Sequence, residues 1–407
     1  MELIVQKYGG TSVATADLIM SVAKRIKKIK KEKKADIAVV VSAMGKTTDE
    51  LVSRAKKINE NPSMREMDML LSCGETMSIA LLTMALHKIG VDAISLTGAQ
   101  VGIVTDTRHT EAKIIHIDTS RIKKHLKEGK VVIVAGFQGV SQENEITTLG
   151  RGGSDTSAVA LAAALSADVC EILTDVDGVY SADPNTVTEA RKIKRCSYDA
   201  VLEMAFMGAK VLHPRSVEIA RKHKLPLHVR SSFNDEEGTI IEEIKDMDIE
   251  KNIVRGIAHN KNIVKVSIVG VPDQPGVAAK IFKGLDEKNI RIGLIVQAPS
   301  HDNRTDITFV ANSKDIDIVK ETVDLIVEKI GAKEAVYNED VATISIVWEG
   351  ISGSSQISAK IFEVLAKKKI NIDVISTSTI TITCIIEKDK LKEAVKALHE
   401  ELIEKEL

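Results

Sequence analysis

The residues of this chain best suited to chemistry lie in two glycine-rich turns, Lys7-Tyr8-Gly9-Gly10-Thr11-Ser12 and Gly150-Arg151-Gly152-Gly153-Ser154-Asp155. Each closes an apolar run and opens a helix-like segment. Adjacent glycines let the main chain approach a ligand closely, and amides at a helix start direct positive charge at it. Lys7 can meet a phosphate as a point charge, and the Arg151 guanidinium can grip a carboxylate or phosphate with two parallel bonds. Two such turns in one chain suggest a site where two anions are brought together. Gly45-Lys46-Thr47 resembles the end of a Walker A loop, but Val40 stands where that motif needs a further glycine. No GxGxxG, HExxH or GxSxG pattern occurs.

The 407 residues should hold about two to three domains, and the elements that must position these turns alternate over the first ~240 of them. Strand-like runs at 3–6, 37–41, 91–96, 131–135, 169–173 and 227–229 are separated by helical patterns at 15–34, 48–58, 65–89, 155–166 and 208–223. Continuous apolar strands alternating with helices predict a parallel sheet covered on both faces, with ligands beyond the carboxyl ends of its strands. Both glycine turns occupy that kind of position. Glu75 interrupts the apolar helix pattern of 65–89, where an unpaired charge is costly. Its partner is either a ligand cation or a buried structural residue.

Composition limits the function classes. Hydrophobic residues make up 44% of the 407 and charged residues 28%, which fits a globular protein with ample core. A net charge of -2 gives no general attraction to nucleic acid or anionic membrane. The run KRIKKIKKEKK at 24–34 carries Ile26 and Ile29 at helical spacing and is expected to be the solvated face of a helix. Cys73, Cys170, Cys196 and Cys384 are far apart and form no CxxC pair, so neither a zinc site nor a disulfide framework is indicated. No signal peptide is visible, and the stretch 67–89, interrupted by Glu75 and His87, reads as a buried helix. A soluble, cytoplasmic protein is expected.

A boundary is expected near 238–250, where a charged stretch follows Gly238. Beyond it lies an internal repeat. Val266-Ser267-Ile268-Val269 recurs as Ile344-Ser345-Ile346-Val347, Ala279-Lys280-Ile281-Phe282 as Ala359-Lys360-Ile361-Phe362, and Ile290-Arg291-Ile292 as Ile370-Asn371-Ile372. The three phased matches predict two copies of a βαββαβ module.

KYGGTSV near the start, VVVSAMGKTTDEL at 39–51, Glu75 in LLSCGETMS, GRGGSDTSA at 150–158 and LTDVDGVYSADP at 173–184 together resemble the aspartate kinase family. The resemblance covers essentially the whole chain, repeat included. It implies an α/β amino acid kinase fold over 1–245, three layers around a mainly parallel sheet. It also implies a tandem ACT regulatory region over 246–407, with modules at about 264–337 and 340–407 and a strand from 253–263 joining the second. The implied reaction is transfer of the ATP γ-phosphoryl group, with Mg²⁺, to the β-carboxylate of L-aspartate. This is the first step toward lysine, threonine and methionine. A carboxylate nucleophile is already ionised near neutral pH, so such a reaction needs positioning and charge neutralisation rather than a general base.

By resemblance, Lys7 with the Gly9 and Gly10 amides holds the phosphoryl group, and Tyr8, Thr174, Asp175, Tyr180, Asp183, Pro184 and Lys210 belong with them to the ATP site. Ser42, Thr47, Glu75, Arg151, Gly152, Gly153 and Ser154 face aspartate, with Arg151 on its α-carboxylate, Glu75 on its ammonium and Asp155 either orienting that ammonium or organising the cationic site. Asn185 stands where the family often has arginine. No residue is assigned as a metal ligand. The ACT resemblance implies lysine or threonine, or both, as effectors, at Asp273, Pro275, Gly276, Val277, Ala278 and Gln297 in the first module and Asn371, Ile372 and Asp373 in the second. Gly293 occupies a position where the family often places aspartate. ACT pairing between chains implies at least a homodimer, and Met247 falls where some relatives begin a separate regulatory subunit. Another amino acid kinase, or a catalytically silent amino-acid sensor, is the competing expectation.

Overall fold

The computed structural model describes residues 2–209, 212–244, 253–299, 302–349 and 354–405. Lys210 and Met247 lie outside the described residues. The chain forms two compact units: Met1–Tyr180, Lys192–Phe206 and Lys210–Asp246 make the first, and Ser181–Arg191, Met207–Ala209 and Met247–Leu407 the second.

The first unit is built on an eight-stranded sheet. Across it run the strands Arg195–Cys196, Thr239–Ile241, Leu227–Ser231, Val169–Thr174, Leu3–Tyr8, Asp36–Val41, Val131–Ala135 and Ala93–Leu96. All neighbours pair in parallel except Leu227–Ser231 with Thr239–Ile241. Leu3–Tyr8, Asp36–Val41 and Val131–Ala135 are almost wholly buried, as expected for strands covered on both faces. The helix Ala16–Lys33 begins at Thr15, whose side chain accepts from the Leu18 amide. Its Ile19, Val22 and Ile26 enter the core with Ile79, Leu82 and Leu86 of the helix Met64–Lys88, so the lysine run between 24 and 34 lies on the outward side. Met64–Lys88 is long and apolar enough to cross a membrane, but 56% of its most apolar window is buried within this core.

A second sheet, in the order Ile114–Ile117, Ile103–Thr105, Gln138–Ser141, Ile146–Thr148, ends two residues before Gly150. The helix Gly153–Leu165 starts directly from that turn, and ten of its 13 residues are buried. The Gly9-Gly10 turn opens differently, into a single 3-10 turn, Gly10–Val13, before the long helix begins.

The second unit contains two four-stranded antiparallel sheets. The first module runs strand Ile263–Pro272, helix Val277–Asp286, strands Ile292–Gln297 and Arg304–Asn312, helix Ile316–Ile330 and strand Glu334–Asn338. The second runs strand Val341–Glu349, helix Ser354–Lys367, strands Val374–Thr377 and Thr381–Glu387 and helix Leu391–His399. Among the described residues no closing strand follows that helix. Ile253–Asn260 takes that place, antiparallel to Val341–Glu349. The stretch Ser181–Arg191 also packs here, with Ala182 and Val187 in one core with Trp348, Ile257 and Leu398.

Candidate active site

The carboxyl ends of neighbouring parallel strands converge on one cleft. Lys7 leaves the strand Leu3–Tyr8, Ser42 follows Asp36–Val41, and Phe137 follows Val131–Ala135. The turns lock together through the main chain: the Ser42 amide donates to Tyr8 O, the Gly45 amide to Gly10 O and the Gly9 amide to Leu173 O. Gly10 is required by proximity, because a Cβ there would lie 2.6 Å from Ala43 O. Gly152 is required by conformation, with φ +69 and the His213 ring 2.4 Å from any Cβ.

The cleft holds about 300 Å³ and is lined by Lys7 and Gly10, by Ser42, Ala43, Gly45 and Thr48, by Glu75 and Phe137, and by Gly150 through Asp155. Both glycine turns and the helix-borne glutamate thus face one space. Lys7 Nζ lies 2.6 Å from Asp155 Oδ1, and both side chains are largely buried. This pair ties the two turns to each other and leaves the remaining ammonium protons of Lys7 for a ligand. Glu75 is 3% exposed. Its Oε1 accepts from the Ala43 amide at 3.1 Å, while Oε2 is buried with no hydrogen-bond partner among the described residues. Burial pushes its carboxyl up to about 7, outweighing the bonds from its own backbone and from Ala43. Arg151 is exposed at the cleft and makes no hydrogen bond or ion pair with a described residue.

Several expected residues stand elsewhere. Tyr8 alternates to the opposite side of its strand from Lys7; it is wholly buried and donates to Gln6 Oε1, so only its backbone borders the turn. Thr47 spends its hydroxyl on Met44 O at 2.7 Å, and the next residue, Thr48, lines the cleft instead. Thr174 and Asp175 begin beside the Gly9 turn, where the Ser232 amide holds Thr174 O. The Tyr180 hydroxyl donates to Asp177 Oδ1, which shares its carboxylate with Lys192. Asp183 and Pro184 belong to the second unit, where Asp183 Oδ1 accepts from the Asn185 amide and side chain.

Of the expected effector residues, Asp273, Pro275, Gly276 and Ala278 are exposed around the start of helix Val277–Asp286, but the Val277 side chain is core. Gln297 is exposed at the end of its strand, and Asn371 is exposed beside Ile372, which packs on the second module's core. Asp373 is paired with Lys265 of the first module. A Cβ on Gly293 would lie 2.8 Å from Val310, so an aspartate does not fit there without repacking.

Phe137 and Thr48 were not singled out from sequence. Phe137 is the only non-glycine residue with positive φ in the cleft lining, at +67, and its ring lies 2.7 Å from a Cβ built on Gly153.

The amino acid kinase family model matches residues 2–231, and ACT domain models match 266–324 and 344–402. An aspartate kinase of Stutzerimonas stutzeri is 48% identical over 98% of this chain and 97% of its own, and an aspartokinase of Mycobacterium tuberculosis is 47% identical over 98% and 96%. The chain belongs to the aspartate kinase family. It is therefore an amino acid kinase, a phosphotransferase with a carboxyl acceptor, and carries two ACT domains. Among solved aspartate kinases, E. coli aspartokinase III in complex with aspartate and ADP matches with a TM-score of 0.81 at 25% identity, over 98% of this chain and all of that one.

Proposed function

We propose that the cleft transfers the γ-phosphoryl group of ATP to the β-carboxylate of L-aspartate, giving 4-phospho-L-aspartate. The observation that carries this reading is the buried Oε2 of Glu75, without a hydrogen-bond partner among the described residues, beside a cleft that two cationic glycine turns also line. An unpaired carboxylate oxygen in such a place costs about 1–3 kcal/mol or more, which a ligand ammonium would repay. Arg151 and the first-turn amides of helix Gly153–Leu165 take the α-carboxylate. Ser42 and Thr48 border the side chain of the substrate. Lys7, steadied by Asp155 and backed by the Gly9 and Gly10 amides, neutralises charge on the transferring group. The attacking oxygen is already anionic, so no general base is assigned.

Thr174, Asp175 and Tyr180 provide the nucleotide side. Lys210 is proposed as a further ATP contact by resemblance. Mg²⁺ entering with ATP would supply further charge neutralisation, held mostly by phosphate oxygens and water. The ACT modules are proposed to bind lysine or threonine, to pair between chains in a dimer, and to shift the kinase between two states by differential affinity. The setting is cytoplasmic amino-acid biosynthesis.

An ATP-dependent hydroxamate assay tests this directly, with aspartate and glutamate as acceptors and lysine and threonine added singly and together. Aspartyl hydroxamate that forms and is suppressed by an effector is expected. Its absence would refute the catalytic reading, and indifference to both effectors the regulatory one.

A further inference from the structure

Asp68 lies on the same helix as Glu75, seven residues earlier, and does not line the cleft. Its side chain is fully buried, yet it is the acceptor at the centre of a cluster. Oδ1 accepts from the Thr148 hydroxyl at 2.5 Å and the Thr110 amide at 3.1 Å, and Oδ2 from the same amide at 3.0 Å and from His109 Nδ1 at 2.8 Å. Glu75 turns its free oxygen to the cleft; Asp68 has spent both of its own on protein donors.

Those donors bracket the Arg151 turn. Thr148 ends the strand two residues before Gly150. Thr110 sits at φ +66, a conformation costly for a β-branched residue, and its carbonyl oxygen would lie 2.9 Å from a Cβ on Gly150. The Ala112 amide donates to Thr148 O at 2.9 Å, and Arg215 donates to Leu149 O and Ala112 O at 3.0 and 2.9 Å. The loop 109–112, the strand end and the turn are therefore one braced assembly. A strained loop persists only where its surroundings over-determine it, and the Thr110 amide, which donates to both Asp68 oxygens, is one such restraint.

We infer that Asp68 is a positioning residue: through Thr110 and Thr148 it fixes where Gly150 stands and so where Arg151 meets the substrate carboxylate. The inference rests on the proposal that Arg151 binds aspartate. A misplacement of about 1 Å in such a contact can cost about a hundredfold, so a residue outside the cleft has leverage on substrate use.

The test is steady-state kinetics of the full-length enzyme carrying Asp68→Asn, Thr148→Val, Thr148→Ser, Arg151→Ala or Asp68→Asn with Arg151→Ala, each checked by thermal melting. Asp68→Asn and Thr148→Val should raise the KM for aspartate about tenfold or more while the KM for ATP stays within about twofold, and Thr148→Ser should restore near-parental values. In the Arg151→Ala background, Asp68→Asn should add nothing further. An unchanged aspartate KM, equal rises in both KM values, or a multiplicative effect in the double variant would overturn the inference. Should Asp68→Asn fail to fold, the Thr148 pair decides alone. If Arg151→Ala itself leaves the aspartate KM unchanged, the substrate-turn proposal fails and takes this inference with it. If only the Asp68 and Thr148 effects are missing, the inference fails by itself.

Discussion

Glu75 makes the stability of the first unit depend on pH. Burial holds its carboxyl at about 7, above its ordinary 4.5. Between those values the native state keeps a proton that the unfolded chain has released. Its contribution to stability is therefore full below pH 4.5 and is lost as pH rises through that window, by about 3 kcal/mol above pH 7. Glu75→Gln removes the charge, so at pH 8 the ligand-free variant should melt higher than the parent, with the gap closing toward pH 5. A gap independent of pH would contradict this. On the proposed reading the ionised form holds the ammonium of aspartate, so the parental aspartate KM should climb about tenfold per unit as pH falls below 7, and the Gln variant should lose that dependence. At this scale the sequence was informative where a residue violates its surroundings. A glutamate in an apolar helix and a lysine before paired glycines stand out without coordinates. Tyr8 and Thr47 do not, because strand alternation and a local hydroxyl-to-carbonyl bond decide which way each side chain serves.

The glycine turns are constrained by what presses on them. Gly152→Ala must place a Cβ into the His213 ring at positive φ, so a loss of activity of about tenfold or more and a lower melting temperature are expected; a fully active variant would show that the turn has another conformation. Gly293→Asp should destabilise the first ACT module by about 1–3 kcal/mol through its clash with Val310; calorimetry of the full chain checks this. The alternating strands and helices of the first unit and the repeat of the second follow from periodicity and phased matches. The closing strand of the second module, borrowed from Ile253–Asn260, does not follow from periodicity, because nothing local in a strand names its partner. Phe137 is not legible in the sequence for a related reason: its positive φ is imposed by tertiary packing on a residue type that rarely adopts it.

On the scale of the whole chain, the division into units is not a single cut in sequence. Ser181–Arg191 follows Tyr180 directly, yet Ser181 Oγ meets His399 Nε2 at 2.8 Å, its carbonyl oxygen accepts from the Ile257 amide, and Val187 is in the Trp348 core. Val187→Ala should therefore destabilise the ACT-bearing unit by about 1–3 kcal/mol, read as a shift of its own calorimetric transition; a shift confined to the kinase unit would contradict that packing. The central claim is a division of labour between two turns in one cleft, Lys7 for the phosphoryl group and Arg151 for aspartate. It is tested most directly by the steady-state constants of Lys7→Ala and Arg151→Ala measured side by side. The account predicts that Arg151→Ala raises the aspartate KM about tenfold or more with the ATP KM nearly unchanged, whereas Lys7→Ala falls mainly on kcat. Identical changes in both variants, or a rise in the ATP KM alone for Arg151→Ala, would contradict it.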